Sequence, residues 1–489
     1  MPVRLSFLLA CALVASAAFQ GTRGIYDSTE ERYTECAREM AQAGTWLEPV
    51  LNGQHHWTKP PLTYIFIGIP YRLFGPTAWA ARLYLIPCYL VAILSVWWMT
   101  LFLWNDRASA NMAALVYATM GFSMATSHIV ATDYPLTAAM ALTLAFFWAA
   151  MRKRSSRAVH LAWLCLGVAF LVKGPPSLLV LPAMFLVWAR LPRDERRQVP
   201  LFAPSALALF FVVGFGWYAW EAWKHPGLAK YWFRDEVVNR SLTNHFHRNN
   251  KFSKNFEIYL PVLLCGTLPW SGWLAFRWRA VREKIVVPGG LKRTWINLTH
   301  EGFWLFWTII IPLTVFVFSQ SKLPLYLLPL FVPIAAATGR LLIKIDGNRP
   351  WFRKRVLAFM FCMFALFIVG KGGIGWTSFQ NKDRALLHRH LTKNCGIEDP
   401  KRLAVYGDVH PNGLSYYFNY ALSLVNKEGL AHWATAGGRR FVLYSHNWQE
   451  EEIEQLLQEN PLPVTKYAPF NKWRVISFDG STNAPAPSL

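Results

Sequence analysis

The sequence predicts a polytopic α-helical membrane protein, with about 11–13 membrane-spanning helices and a small α/β domain at its C-terminal end. Three observations lead to this fold class. The chain of 489 residues is 54% hydrophobic and contains 24 Trp, which is too apolar for an ordinary soluble protein of this length. Apolar runs near the ~20 residues needed to cross a bilayer recur as far as residue 376. Beyond Phe379 the composition becomes that of a soluble domain.

The first apolar run resembles a cleavable signal peptide, because Arg4 precedes it and Ala15-Ser16-Ala17 follows. Many similar runs come after it, so we predict an uncleaved first membrane helix over 4–20. The run 62–74 is short and is interrupted by Pro70 and Arg72, which indicates a re-entrant or interfacial segment. The other predicted crossings are 77–103, 110–128, 134–151, 158–172, 175–190, 200–222, 257–276, 302–319, 324–343 and 356–376.

The formal net charge of +22 indicates membrane orientation and not nucleic-acid binding, because the basic residues lie in short loops between apolar runs. If 62–74 does not cross, the basic loops share the cytoplasmic side with Arg4. These loops are 152–157, 190–197, 277–293 and 344–355. The loops 21–76 and 223–256 then lie on the opposite side, together with the C-terminal region.

The C-terminal region alternates strand and helix patterns. Residues 402–406, 440–444 and 473–478 are typical of strands, and 382–393 and 449–459 are typical of polar helices. We therefore predict a membrane domain over 1–376, a soluble α/β domain over 377–480 and a disordered tail over 481–489.

A segment rich in carboxylates, 26–62, follows the first apolar run. Glu31, Glu35 and Glu39 recur every four residues, which predicts a solvated amphipathic helix at the membrane interface. Asp27 and Glu30 stand at the start of this helix, where a carboxylate serves either as a helix cap or as a catalytic group. The sequence leaves these two roles open.

Three lysines stand beside prolines at predicted outer membrane boundaries. Lys59 precedes two prolines, Lys173 precedes Gly-Pro-Pro, and Lys322 precedes Leu-Pro. Proline holds the backbone extended and aims the preceding side chain, so the three ammonium groups are candidates for an anion site; the alternative is that they snorkel to the interface. Asp133 opens a predicted helix and is either functional or a cap, since a charge in the bilayer core is costly. No Gly-rich nucleotide loop is present.

These motifs, taken in order, resemble the bacterial GT-C glycosyltransferases, which include the lipid A aminoarabinose transferases and relatives of the protein O-mannosyltransferases. The resemblance covers roughly residues 1 to 345. Its motifs are Glu30-x-Arg32-Tyr33, Ala37-Arg38-Glu39-Met40, Leu51-Asn52-Gly53, Lys59-Pro60-Pro61-Leu62, Lys173-Gly174-Pro175 and Ser321-Lys322-Leu323-Pro324-x-Tyr326.

The resemblance implies a GT-C fold and an enzyme of the bacterial inner membrane whose active site faces the periplasm. The donor would be a sugar on undecaprenyl phosphate, and the acceptor lipid A, another glycolipid or a protein. The implied catalytic carboxylates are Asp133 and either Asp27 or Glu30. The implied donor-binding and substrate-binding residues are Lys59, which would hold the phosphate, and Arg32, Lys173, Arg240, Lys322 and Tyr326.

The chain departs from this family in two places. Thr29 stands where many relatives have aspartate, and an aspartate appears two residues earlier as Asp27. Thr58 and Val237 stand where aminoarabinose transferases have a glutamate and a histidine, so both potential metal-binding groups are missing. We therefore assign no metal ligand and no cofactor from the sequence, and a strict aminoarabinose assignment is weakened.

Three alternatives to a lipid A transferase make different demands on the sequence. A protein O-glycosyltransferase would use the same donor site. A transporter for a lipid-linked anion would need charges along a path through the helices, but the apolar runs are nearly free of charge. A structural or assembly protein would leave the segment 26–62 unexplained.

Overall fold

The computed structural model describes residues 3–27, 29–239, 249, 251–285, 299–373, 381–407, 410–446, 448–459 and 463–479. The chain folds as two compact units. The first comprises Met1–Gln20, Trp57–Phe66 and Arg82–Lys371, and the second comprises Gly21–His56, Ile67–Ala81 and Gly372–Leu489. The region predicted as a soluble domain, 377–480, thus belongs to a unit that also includes two earlier segments. The tail 481–489 and Arg240 lie outside the described residues.

Within the described residues, seven helices are long and apolar enough to cross a membrane: Ala80–Trp104, Asp133–Lys153, Ser156–Lys173, Pro204–Lys224, His300–Phe318, Pro324–Asp346 and Phe352–Gly373. A further apolar helix pair, Asn255–Gly266 and Trp270–Phe276, is bent by 77° and is either a broken span or a re-entrant loop. The predicted class of polytopic helical membrane protein is confirmed.

Other predicted crossings are shorter or broken in the structure. The first is the 13-residue helix Leu5–Ala17. The run 110–128 divides into Arg107–Thr119 and Gly121–Thr126, because Met120 takes an extended conformation between them. The run 175–190 begins with prolines as a 3₁₀ helix, Pro175–Val180, and continues as Leu181–Ala189. The run 62–74 is a 13-residue helix, Leu62–Phe74, which is shorter than the ~20 residues of a crossing.

The remaining helical elements are short or are parts of the spans. They are Thr29–Ala43, Ala80–Arg82, Leu85–Trp104, Arg193–Gln198, Pro204–Phe210, Phe211–Phe215, Gly216–Lys224, Leu228–Tyr231, Trp232–Asn239, Asn255–Tyr259, Leu260–Gly266, Trp278–Ile285, Pro324–Leu330, Phe331–Asp346, Arg384–Lys393, Pro400–Arg402, Asn412–Phe418, Lys427–Thr435 and Trp448–Glu459.

A tight helical hairpin in the first unit positions two of the predicted site residues. Helix Asp133–Lys153 ends at Arg154, whose left-handed backbone (φ 51°) stops the helix. Ser155 then caps the next helix, Ser156–Lys173, by accepting a hydrogen bond from the Ala158 N–H. Because the two helices are antiparallel and of nearly equal length, Asp133 at the start of the first lies close to Lys173 at the end of the second.

The second unit contains two β-sheets. A hairpin of β1 (Val50–Leu51) and β2 (Gln54–His55) turns at Asn52 and Gly53, which both have positive φ, as an Asn-Gly hairpin turn requires. The larger sheet consists of β3 (Leu403–Tyr406), β4 (Ser423–Val425), β5 (Arg439–Ser445), β6 (Val464–Lys466) and β7 (Trp473–Asp479). Its order is β4-β3-β5-β7-β6, with β3 parallel to β4 and β5 and the other pairs antiparallel. Two apolar clusters cover it.

The helix Thr29–Ala43 is buried, so the expectation of a solvated interfacial helix is wrong. Glu35 is 0% exposed and forms a two-bond ion pair with Arg38 at 2.7 Å. Glu31 is 7% exposed and accepts a hydrogen bond from Arg384 at 3.0 Å. A neighbour on the same helix satisfies Glu35 and a distant arginine satisfies Glu31, so neither carboxylate depends on solvent.

Candidate functional site

The first unit encloses a cavity of about 950 Å³, near the upper end of the range for small-molecule sites. Its walls are mainly aliphatic and aromatic side chains from the helical segments after Asp133, Pro175 and Phe215 and from the segment after Thr308. Among the described residues, its charged lining consists of two lysines and two carboxylates: Lys59, Asp133, Lys173 and Glu236. An apolar chamber with four charged groups suits an amphiphilic ligand with an anionic head.

Asp133 and Lys173 form the first ion pair in this cavity. The Lys173 Nζ donates to the Asp133 Oδ1 at 2.5 Å, and both side chains are about nine-tenths buried. The same ammonium lies 4.9 Å from the centre of the Tyr326 ring, which adds a cation–π contact. The Asp133 carboxylate is thus committed to a lysine at the cavity wall.

Lys59 and Glu236 form the second ion pair, with 2.8 Å between Nζ and Oε2. The Lys59 ammonium also donates to the backbone carbonyl of Thr58 at 2.5 Å. A hydrogen bond of 2.8 Å from the Trp232 indole N–H to the Trp57 carbonyl holds the two segments together beside this pair. Glu236 was not among the predicted site residues; it stands beside Asp235 in a loop that also contains several arginines and histidines.

Lys322 and Tyr326 are placed differently from each other. Tyr326 lines the cavity, as do Ser319 and Ser321. Lys322 is 2% exposed, is not among the residues that line the cavity, and donates from Nζ to the Ser319 carbonyl at 2.7 Å. Burial lowers the pKa of the Lys322 ammonium below its ordinary value.

Asp27, Glu30 and Arg32 belong to the second unit and are not among the residues that line the cavity. Arg23 donates two hydrogen bonds to the Glu30 carboxylate, at 2.6 and 2.7 Å, and Glu30 also accepts from the Tyr26 N–H at 3.1 Å. Glu30 is therefore a buried ion-pair partner that also holds the Tyr26 backbone in front of its helix.

The other two predicted residues of this segment are more accessible. The side chain of Asp27 is 21% exposed and lies 3.6 Å from the Arg384 guanidinium and 4.0 Å from the Lys472 ammonium. The Arg32 guanidinium lies 5.8 Å from the centre of the Tyr33 ring.

Comparison with known proteins gives related sequences over much of the first unit. A family described as dolichyl-phosphate-mannose-protein mannosyltransferase matches residues 58–220. The undecaprenyl phosphate-alpha-4-amino-4-deoxy-L-arabinose arabinosyl transferase of Erwinia tasmaniensis is 28% identical over 338 residues, which is 67% of this chain and 57% of that protein. Transferase 2 of the same name from Sodalis glossinidius is 29% identical over 332 residues, with the same shares. The chain thus spans little more than half the length of these relatives.

Two solved structures share the fold. ArnT from Cupriavidus metallidurans bound to undecaprenyl phosphate superposes with a TM-score of 0.76 over 98% of this chain and 99% of that chain, at 19% identity. The oligosaccharyltransferase of Archaeoglobus fulgidus gives a TM-score of 0.56 over 99% of this chain and 75% of that chain, at 12% identity. The predicted GT-C fold, with a small C-terminal sheet domain, and the resemblance to this superfamily are confirmed.

Proposed function

We propose that this protein is a polyprenyl-phosphate-sugar-dependent glycosyltransferase, which moves a sugar from undecaprenyl phosphate to lipid A or a related envelope acceptor. The observation that carries the proposal is the apolar cavity of about 950 Å³ with Lys59, Lys173, Asp133 and Glu236 in its lining. The solved fold relative holds undecaprenyl phosphate, and the named sequence relatives are arabinosyl transferases that use this carrier.

The apolar walls account for the lipid part of the donor, because isoprenoid units gain about 25 cal/mol per Å² when they leave water. Lys59 supplies the cation for the phosphate. As the glycosidic bond breaks, negative charge develops on the departing phosphate, and a fixed ammonium in a dry site stabilises it strongly. The prolines after Lys59 restrict the backbone that carries this group.

Asp133 acts on the acceptor. A carboxylate positions an acceptor hydroxyl and takes its proton as the new bond forms, which contributes about 10²–10⁴-fold to the rate. Lys173, held between Asp133 and the Tyr326 ring, fixes the orientation of this carboxylate. Arg32 and Arg240 remain predicted to bind the donor.

Of the two loop carboxylates, Asp27 fits a reacting group better than Glu30. Its side chain is 21% exposed, whereas that of Glu30 is 4% exposed and is held by two hydrogen bonds from Arg23.

The protein is a multi-pass membrane protein. We place it in the inner membrane with its cavity towards the periplasm, because the basic loops then lie in the cytoplasm.

A protein acceptor is the second candidate, since the family that matches residues 58–220 is described as a protein mannosyltransferase. Mass spectrometry of lipid A and of glycoproteins, from cells with and without the gene, separates the two. We expect the mass of one sugar on lipid A only in cells that carry the gene. A change confined to glycoproteins would favour the second candidate, and no change in lipid A, in other envelope glycolipids or in glycoproteins would contradict the proposal.

A further inference from the structure

The cavity already pairs each ammonium group of its described lining with a carboxylate. Its described lining contains two ammonium groups and two carboxylates, joined as the pairs Lys59–Glu236 and Lys173–Asp133. A donor phosphodiester adds one negative charge. In an apolar chamber an unbalanced charge is costly, because the interior solvates it poorly. The phosphate therefore has to compete with a carboxylate for the ammonium group of one of these lysines.

Glu236 is the carboxylate that competes with the donor phosphate. It holds Lys59, which carries the donor phosphate if the proposed function is right. Lys59 also donates to the Thr58 carbonyl, and Lys173 contacts the Tyr326 ring in addition to Asp133, so neither lysine is held by its carboxylate alone. Glu236 also lies on the π-helical segment Trp232–Asn239, and π-helical turns are rare and frequently lie at functional sites.

We propose that Glu236 is the resident counter-ion of Lys59. The donor phosphate displaces the Glu236 carboxylate on binding, and the carboxylate returns when undecaprenyl phosphate leaves. This inference rests on the proposed function and adds a positioning residue to it. In the free protein the carboxylate holds the Lys59 ammonium group at the cavity wall. During turnover it competes with the lipid phosphate for the same ammonium and so limits the affinity for donor and product.

The competition has a measurable consequence. A site that is available for only a fraction of the time binds with an affinity reduced by that fraction. Glu236→Gln keeps the shape of the side chain and removes its charge. We expect this variant to bind undecaprenyl phosphate about tenfold more tightly, to show a lower donor KM, and to be inhibited more strongly by undecaprenyl phosphate.

The test measures the binding of undecaprenyl phosphate to the full-length protein in nanodiscs, for wild type, Glu236→Gln, Lys59→Ala and the double variant. Glu257→Gln is the matched control, because Glu257 forms an ion pair with Lys254 on an exposed surface. The gain from Glu236→Gln should shrink to less than about twofold when Lys59 is already alanine, as coupled partners in a double-mutant cycle require.

Unchanged or weaker binding by Glu236→Gln, with normal binding by wild type, would overturn this inference and leave the proposed function standing. An equal gain with and without Lys59 would also overturn it, because the effect would not act through that lysine. A wild-type protein that fails to bind undecaprenyl phosphate would contradict both the inference and the proposed function.

Discussion

Asp133 and Lys173, 40 residues apart in the chain, are joined by a hydrogen bond of 2.5 Å between Oδ1 and Nζ. One opens a helix and the other ends the next helix, and the tight turn at Arg154 and Ser155 brings them back together. The sequence pointed to each residue for a separate reason. The structure shows that they form one unit in the wall of an apolar cavity.

The first prediction concerns catalysis by Asp133. Asp133→Asn keeps the size of the side chain but removes its ability to take a proton, so we expect sugar transfer to fall by about 10²–10⁴-fold. Binding of undecaprenyl phosphate should not weaken, because Lys59 is unaltered and Lys173 keeps its positive charge. Initial rates with a radiolabelled donor, together with lipid binding, check this result.

Glu195→Gln is the control for that experiment. Glu195 also forms an ion pair, with Arg154, but its side chain is 41% exposed and it is not among the residues that line the large cavity. We expect this variant to keep wild-type transfer rates. Transfer by Asp133→Asn at the control rate would remove Asp133 from the mechanism.

The second prediction concerns the stability of the second unit. The side chains of Arg23 and Glu30 are 3% and 4% exposed. Removing one partner of a buried pair leaves an uncompensated charge and costs about 3–5 kcal/mol, whereas replacing both with apolar groups is often neutral. We expect Arg23→Met to lower the midpoint of thermal unfolding and the double variant with Glu30→Met to restore most of it. A double variant as unstable as Arg23→Met would contradict this explanation.

The third prediction concerns pH. Burial raises the pKa of Glu35 from its ordinary value of 4.5 to about 7, although Arg38 partly opposes this shift. Between these values the folded protein holds a proton that the unfolded chain has lost. The free energy of unfolding therefore falls as pH rises across this window, by about 2–3 kcal/mol, and is constant above it.

Glu35→Gln tests this dependence, because glutamine does not titrate. Thermal unfolding from pH 4.5 to pH 8 should show wild type losing stability relative to this variant up to about pH 7, with no further change above. Parallel curves for the two proteins would show that Glu35 does not have a raised pKa.

The general fold was predictable from local patterns of hydrophobicity in the sequence. Long apolar runs predicted the helices of the first unit, and strand-like runs predicted β3, β5 and β7, because hydrophobicity and periodicity act within a short window. The three-residue strands β4 and β6 were missed. They are edge strands of the sheet, and strands so short leave too little pattern to recognise.

The partners of the charged groups did not follow from pattern. Glu236 lies 177 positions from Lys59, and the burial of Glu31 depends on Arg384, 353 positions away. Carboxylates spaced four residues apart predict that they share one helix face. Tertiary contacts decide whether that face meets water or protein. For the same reason, Lys322 looked like the other two lysines in sequence and yet donates to the Ser319 backbone.

The most direct measurement is sugar transfer by the purified protein in nanodiscs, with undecaprenyl phosphate-linked aminoarabinose as donor and lipid A as acceptor. Mass spectrometry of the lipid A follows the reaction. We predict that wild type adds the mass of one sugar, and that Lys59→Ala and Asp133→Asn lose at least about 99% of this activity. Equal transfer by wild type and both variants, or a wild type that transfers no sugar from any undecaprenyl phosphate-linked donor to any envelope acceptor, would contradict the account.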